Sequence, residues 1–146
     1  MDGKLFARIL PILWALLIFF LSHQPAEVSS GQSGVLVSQL QTIAPGADVA
    51  LLTFIVRKGA HVVAYFILGI LVYNALRRTR LPWQQPGVGV VAGTVCLLYA
   101  CSDELHQTFV PGRSGEVRDV LLDSTAAVVG IILAAYSIKL LQKSKK

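Results

Sequence analysis

The chain has 146 residues, 54% of them hydrophobic and 14% charged, with a formal net charge of +5 and a mean hydropathy of +0.64. Soluble domains carry about 25% charged residues, so this composition excludes an ordinary soluble globule, a disordered tail and a disulfide scaffold, and leaves an integral membrane protein. The basic excess does not read as a nucleic-acid surface: most Lys and Arg stand at or near the ends of apolar runs, where membrane orientation accounts for them.

The first apolar run, residues 5–21, reads LFARILPILWALLIFFL. Arg8 can snorkel to the headgroups, and Pro11 is expected near the helix start, where its missing donor costs least. The following SHQPAEVSS lacks a clean small-residue cleavage site, so a retained helix is favoured over a signal peptide. Residues 22–49 are polar and rich in small residues, and are expected to form an extracytoplasmic loop ordered in part against the bundle, with a short interfacial element at 35–40. The second run spans 59–76, preceded by the apolar stretch 50–56. The sequence RRTRLPWQQP at 77–86 reads as a tight cytoplasmic turn with Trp83 as interface anchor. The third run, 87–102, is short for a span unless it extends through Asp103–Gln107 at a wet face or inside the bundle. The fourth covers 120–138, and a basic tail, 139–146, follows. Cys96 and Cys101 are five apart on one helix and form no CxxC, which predicts packing residues rather than a disulfide or a metal site.

No run alternates with period two, as a barrel strand must. The predicted architecture is therefore an all-α integral membrane bundle of four transmembrane helices with both termini cytoplasmic, multi-pass in the inner (cytoplasmic) membrane. That orientation puts nine of the thirteen basic residues inside, opposed only by Asp2, and leaves Arg57, Lys58, Arg113 and Arg118 outside with seven acids.

One consequence is that the polar residues share one end. Arg57, Lys58 and His61 open the second helix, Asp103, Glu104, His106 and Gln107 close the third, and Asp119 and Asp123 open the fourth. Ionisable groups at lipid depth usually face a bundle interior or a cavity, so a polar pocket is expected. Arg57, His61 and Tyr65 form one i, i+4, i+8 stripe, Asp103 and Gln107 stand one turn apart with Tyr99 deeper, and Asp119 and Asp123 repeat the spacing. Below Asp123, Ala126, Ala127 and Gly130 permit close helix approach.

In the joining loop, Pro111-Gly112 marks a turn, and Arg113, Ser114 and Gly115 offer a guanidinium, a hydroxyl and backbone N–H groups suited to a phosphate or carboxylate, though PGRSG is also an ordinary turn. Asp119 is expected to cap the fourth helix. Candidate catalytic residues are His61, Glu104 and Asp119, with Arg57, Lys58, Arg113 and Ser114 binding an anion and Tyr65, Asp103, Gln107 and Asp123 in support. Asp103 and Glu104 are candidates to share a proton, and Asp123 to form a salt bridge with Arg57, Lys58 or Arg113. A metal bound by His61, Glu104 and His106 is disfavoured, since no HExxH is present, and no cofactor is expected.

The sequences RKGAHVVAYFILGILVY at 57–73 and CSDELHQTFVPGRSGEVRDVLLDSTAAVVG at 101–130 resemble the VanZ-like family. The matching features are K-x-x-H-x-x-x-Y in the second helix, D-E-x-x-Q at 103–107, F-x-P-x-R at 109–113 and the D-x-x-x-D/N opening the fourth helix. The similarity covers about residues 50–135, and Asp123 stands where the family often carries Asn. The resemblance implies a small bacterial membrane protein, with polar family residues at Lys58, His61, Tyr65, Asp103, Glu104, Gln107, Arg113 and Asp119, and a founding member linked to teicoplanin resistance. Three functions are compatible: an outer-leaflet pocket for an anionic lipid or lipid-linked envelope precursor, a membrane hydrolase or transferase using His61 or Glu104, and a non-catalytic structural or partner subunit whose ion pairs fix helix packing; a homo-oligomer is compatible with each.

Overall fold

A computed structural model of the chain describes residues 3–79 and 87–144. Over those residues it is all-helical outside its turns, with α1 (Gly3–Ser22), α2 (Ala26–Ile43), α3 (Val49–Arg78), α4 (Gly87–Gln107) and α5 (Val117–Lys143). Four of them, α1, α3, α4 and α5, are long and apolar enough to cross a membrane, and the bundle is that of a multi-pass membrane protein. Arg80 and Trp83 of the expected turn, and Lys145 and Lys146 of the tail, lie outside the described residues.

The helices depart from the apolar runs where local chemistry lets them. The stretch 50–56 joins the second run: Asp48 is the N-cap of α3, and its side chain accepts the Ala50 N–H at 2.8 Å. At 1.5 Å per residue, the 30 residues of α3 reach about 45 Å. The helix is therefore longer than a hydrocarbon layer about 30 Å thick. The third run does extend through Gln107 as α4.

Four expectations are corrected. Residues 22–49 hold the 18-residue helix α2, not a loop with a short element; Pro25 occupies its N-cap, and Ser33 and Val37, one turn apart, are its buried residues. Pro11 lies inside α1, two turns beyond Gly3, so the carbonyl four residues earlier loses its donor. Glu116, not Asp119, is the N-cap of α5, leaving Asp119 in the first turn with its carboxylate free for another partner. α5 also continues through Lys143 into the stretch read as tail.

Chain direction follows from the interhelical bonds. Tyr99 of α4 donates its hydroxyl to the Ala15 carbonyl of α1 at 2.6 Å, and Ser22 of α1 bonds Asp103 of α4 at 3.0 Å, so α1 and α4 run parallel. α3 and α5 run the opposite way, tied by Lys58–Asp119 and His61–Asp123 at nearly constant offset. The carboxyl ends of α1 and α4 and the amino ends of α3 and α5 thus share one end of the bundle. At the other end Tyr73, Val88 and Ile138 border a common cavity.

Small residues set the packing. Ala92, Ala100 and Ala127 have no exposed surface, and Tyr65 is equally enclosed. A Cβ on Gly69 would lie 2.2 Å from the Ala127 carbonyl oxygen, and one on Gly130 would lie 2.2 Å from that of Phe66. The α3 and α5 backbones therefore touch at two levels, a contact open to glycine alone. The lane of Ala126, Ala127 and Gly130 is used as its spacing suggests. Trp14 holds α1 to α3 through its indole N–H on the Ala64 carbonyl at 2.8 Å. Outward faces carry Phe6, Ile12, Leu13 and Phe20, all more than half exposed, as suits lipid. Cys96 is buried and Cys101 exposed, both as free thiols.

Because backbone rather than a flexible side chain stands in the way, Gly69→Ala is expected to lower bundle stability by about 1–3 kcal/mol, the usual range for overpacking. Unfolding in detergent micelles followed by circular dichroism measures this, and an unshifted transition would contradict the close α3–α5 contact.

Candidate functional site

The shared polar end is organised around carboxylates that the fold itself engages. Asp103 is 3% exposed. Its Oδ2 accepts from Ser22 Oγ at 3.0 Å, Tyr65 Oη at 3.2 Å and Gln107 Nε2 at 3.4 Å, which joins α1, α3 and α4 at one atom. Asp103 Oδ1 has no hydrogen-bond partner among the described residues.

Glu104 turns the other way. Its Oε1 accepts from Gln107 Nε2 at 3.0 Å, and its Oε2 accepts the Glu116 N–H at 2.9 Å, placing a negative charge at the amino end of α5 where the helix dipole favours it. Gln107 thus stands between Asp103 and Glu104, bonded to both. Gly115 allows this approach: a Cβ there would fall 2.5 Å from the Glu104 carbonyl oxygen.

Two pairs join α3 to α5. Lys58 bonds Asp119 through Oδ2. His61 Nδ1 lies 3.4 Å from Oδ2 of Asp123, a carboxylate 1% exposed. The partner of Asp123 is thus the histidine, not Arg57, Lys58 or Arg113. Among the described residues no hydrogen bond or ion pair links His61 to Glu104 or Asp119, so the three candidate catalytic side chains belong to three separate contacts.

The arginines are treated differently. Gly112, at φ 71°, closes the 110–113 turn in the left-handed region that glycine tolerates. The turn aims Arg113 back at the carboxyl end of α1: Nε donates to the Gln24 carbonyl at 2.8 Å, Nη2 to the Leu21 carbonyl at 3.1 Å and Nη1 to Gln107 Oε1 at 3.3 Å. These acceptors are all neutral. Burial, followed by the like charge of Arg57, holds Arg113 below the usual arginine range. Arg57 makes no hydrogen bond or ion pair among the described residues.

Both arginines and His61 border two cavities. One, of about 220 Å³, lies among α1, α2 and α3, with Ile18, Leu21, Leu36 and Val56 as apolar walls and Gln32 and Ser33 as polar ones. The second, of about 170 Å³, is bordered by Lys58, Ser114, Glu116 and Asp119. Ser114 is exposed at its rim.

Several contributors were not read from the sequence: Ser22, Gln24, and Ser29, Gln32 and Ser33 of α2. Their signals were present, in the polar triplet ending the first run and in the i, i+3, i+4 spacing of 29, 32 and 33, but only the folding of α2 over α3 gives them a role. His106 points away from the site; its Nε2 lies 3.0 Å from His23 Nδ1, and its ring packs on Phe19. Among the described residues no group of three or more His, Cys, Asp and Glu is placed to hold a metal ion.

A family model described as VanZ/LLP1 matches residues 8–140. No curated protein and no solved structure matches the chain.

The ion pair between α3 and α5 can be tested by reversal. Lys58→Glu is expected to destabilise the folded protein by setting two carboxylates together, and adding Asp119→Lys to recover most of the loss. A thermal-unfolding double-mutant cycle measures the coupling, and additive effects would mean that the pair contributes nothing.

Proposed function

We propose, for a chain that belongs to the VanZ/LLP1 family and is a multi-pass membrane protein, that it binds the anionic headgroup of a membrane lipid or lipid-linked envelope precursor in the outer leaflet of the cytoplasmic membrane. One observation carries the reading. Arg57 and Arg113 border the same two cavities, and neither forms a hydrogen bond or ion pair with a carboxylate among the described residues. Two guanidinium groups facing one space repel each other unless an anion lies between them, and phosphate suits their planar donor forks best. The neighbouring acids do not compete for this role. Asp119 and Asp123 are held by Lys58 and His61, Asp103 by three donors, and Glu104 by Gln107 and the α5 backbone.

The cavity walls favour a lipid over a free anion. The larger cavity sets an aliphatic wall of Ile18, Leu21, Leu36 and Val56 beside its cations and hydroxyls, which suits an amphiphile, whereas inorganic phosphate would leave the apolar wall without a partner. The outer-leaflet assignment rests on charge. The opposite end of the bundle carries Arg8, Arg77, Arg78, Lys139 and Lys143, the excess expected of a cytoplasmic face.

The purified chain is expected to retain phosphatidylglycerol in preference to phosphatidylcholine in native mass spectrometry. Arg57→Gln should weaken that binding about 10- to 100-fold, the equivalent of one charged hydrogen-bond contact. Equal retention of both lipids, or competition by inorganic phosphate alone at the same concentration, would refute a lipid site. In the cell, a role in envelope chemistry linked to glycopeptide tolerance predicts that deletion shifts sensitivity to a lipid-anchored glycopeptide. An unchanged profile, with unchanged envelope lipids and glycans, would argue against it.

A further inference from the structure

The cavities that hold the two arginines also contain a base. His61 borders both. Its Nδ1 faces Oδ2 of Asp123 at 3.4 Å, and its Nε2 makes no hydrogen bond among the described residues. Asp123 is 1% exposed, so its charge is spent on the imidazole rather than on water. A carboxylate on Nδ1 selects the tautomer whose lone pair sits on Nε2, and it stabilises the imidazolium that forms when Nε2 takes a proton. A base, with the carboxylate that orients it behind it, and two cationic groups for developing negative charge thus border the same two cavities.

The surroundings also restrict the reaction. Lys58 is engaged by Asp119, Glu104 by Gln107 and the Glu116 N–H, and Asp103 by Ser22, Tyr65 and Gln107. Neither Asp103 nor Glu104 borders either cavity, and Asp119 and Glu116 are paired with Lys58 and Arg118, so among the described residues the cavities offer no unpaired acid to protonate a leaving oxygen. An alkoxide leaves poorly without a proton, whereas a phosphate leaves well. The two guanidinium groups match two phosphoryl groups, the aliphatic wall of the larger cavity matches a hydrocarbon chain, and the polar cavity beside Ser114 and Glu116 gives water access.

Building on the headgroup-binding reading above, we infer that the chain hydrolyses the phosphoanhydride of a lipid diphosphate, with His61 as general base and Asp123 as its positioning residue. A water oxygen attacks the terminal phosphorus, and a new O–P bond forms. The bridging P–O bond breaks, and its electron pair stays on the lipid monophosphate. One water proton passes to His61 Nε2 and then to solvent; the other remains on the released orthophosphate. Arg57 and Arg113 stabilise the charge that builds on the phosphoryl oxygens and on the leaving phosphate.

Farnesyl diphosphate, mixed with the full chain in detergent micelles, serves as the probe, with binding followed by thermal shift and orthophosphate release by phosphorus NMR. The parent protein is expected to bind it and release orthophosphate. His61→Gln should still bind while release falls at least about 100-fold, the contribution of a general base. Asp123→Asn should lower kcat with KM retained, a split that a loss of folding would not give. Binding by the parent with no release, or equal release by His61→Gln, overturns the catalytic assignment and leaves the headgroup site standing. Failure of the parent to bind farnesyl diphosphate while it still retains phosphatidylglycerol also overturns this inference alone. Loss of both ligands overturns the two readings together.

Discussion

The contact of α3 with α5 is the constraint from which the rest of the polar end follows. Gly69 and Gly130 bring backbone against backbone at two levels, and helices that close have little freedom to slide or rotate. The same register puts His61 beside Asp123 about two turns above the glycines, and Lys58 beside Asp119 about three. In a bilayer there is no hydrophobic drive to press helices together, because lipid is as apolar as leucine. Shape and polar pairing must supply the association, and this helix pair uses both along a single seam.

Charge at this end is divided between two tasks. The carboxylates are engaged in structure: Asp103 gathers three helices on one oxygen, Glu104 sits against the amino end of α5, and Asp119 and Asp123 link α5 to α3. Buried charges without such partners would be costly. Arg57 and Arg113 form no ion pair among the described residues and border the same two cavities. Arg113 is held by neutral carbonyls at the carboxyl end of α1, which fixes its direction, while Asp103 and Glu104 act on its charge only through space. Under the proposed headgroup reading, two cations free of ion pairs beside this carboxylate framework would receive an anion from outside the chain.

α1 and α2 shape the access to that space. α1 exposes most of its aliphatic surface and is tied to the others mainly through Trp14, Ser22 and the Tyr99 hydroxyl. α2 lays Ser29, Gln32 and Ser33 along one wall of the larger cavity and Leu36 beside them. The site is therefore bounded by a firm α3–α5 pair on one side and by more lightly attached helices on the other.

The amino-acid sequence by itself determined the medium, the four spanning helices and the gathering of polar residues at one end. Those follow from runs of apolar residues long enough to cross a bilayer and from the alternation of direction that consecutive spans impose. It also marked the small-residue lane on α5, because Ala126, Ala127 and Gly130 recur at helical spacing. Only the tertiary structure decided which charges meet. Neighbours on a helix point about 100° apart, so spacing alone could not tell that Gln107 stands between Asp103 and Glu104, that Asp123 takes His61, or that Asp119 takes Lys58 and leaves the cap to Glu116. Nor did it reveal α2, whose composition is that of a loop and which packs as a helix against α3. Partner choice depends on the rotation and depth of whole helices, and those are set by contacts such as Gly69 on Ala127, between residues far apart in the chain.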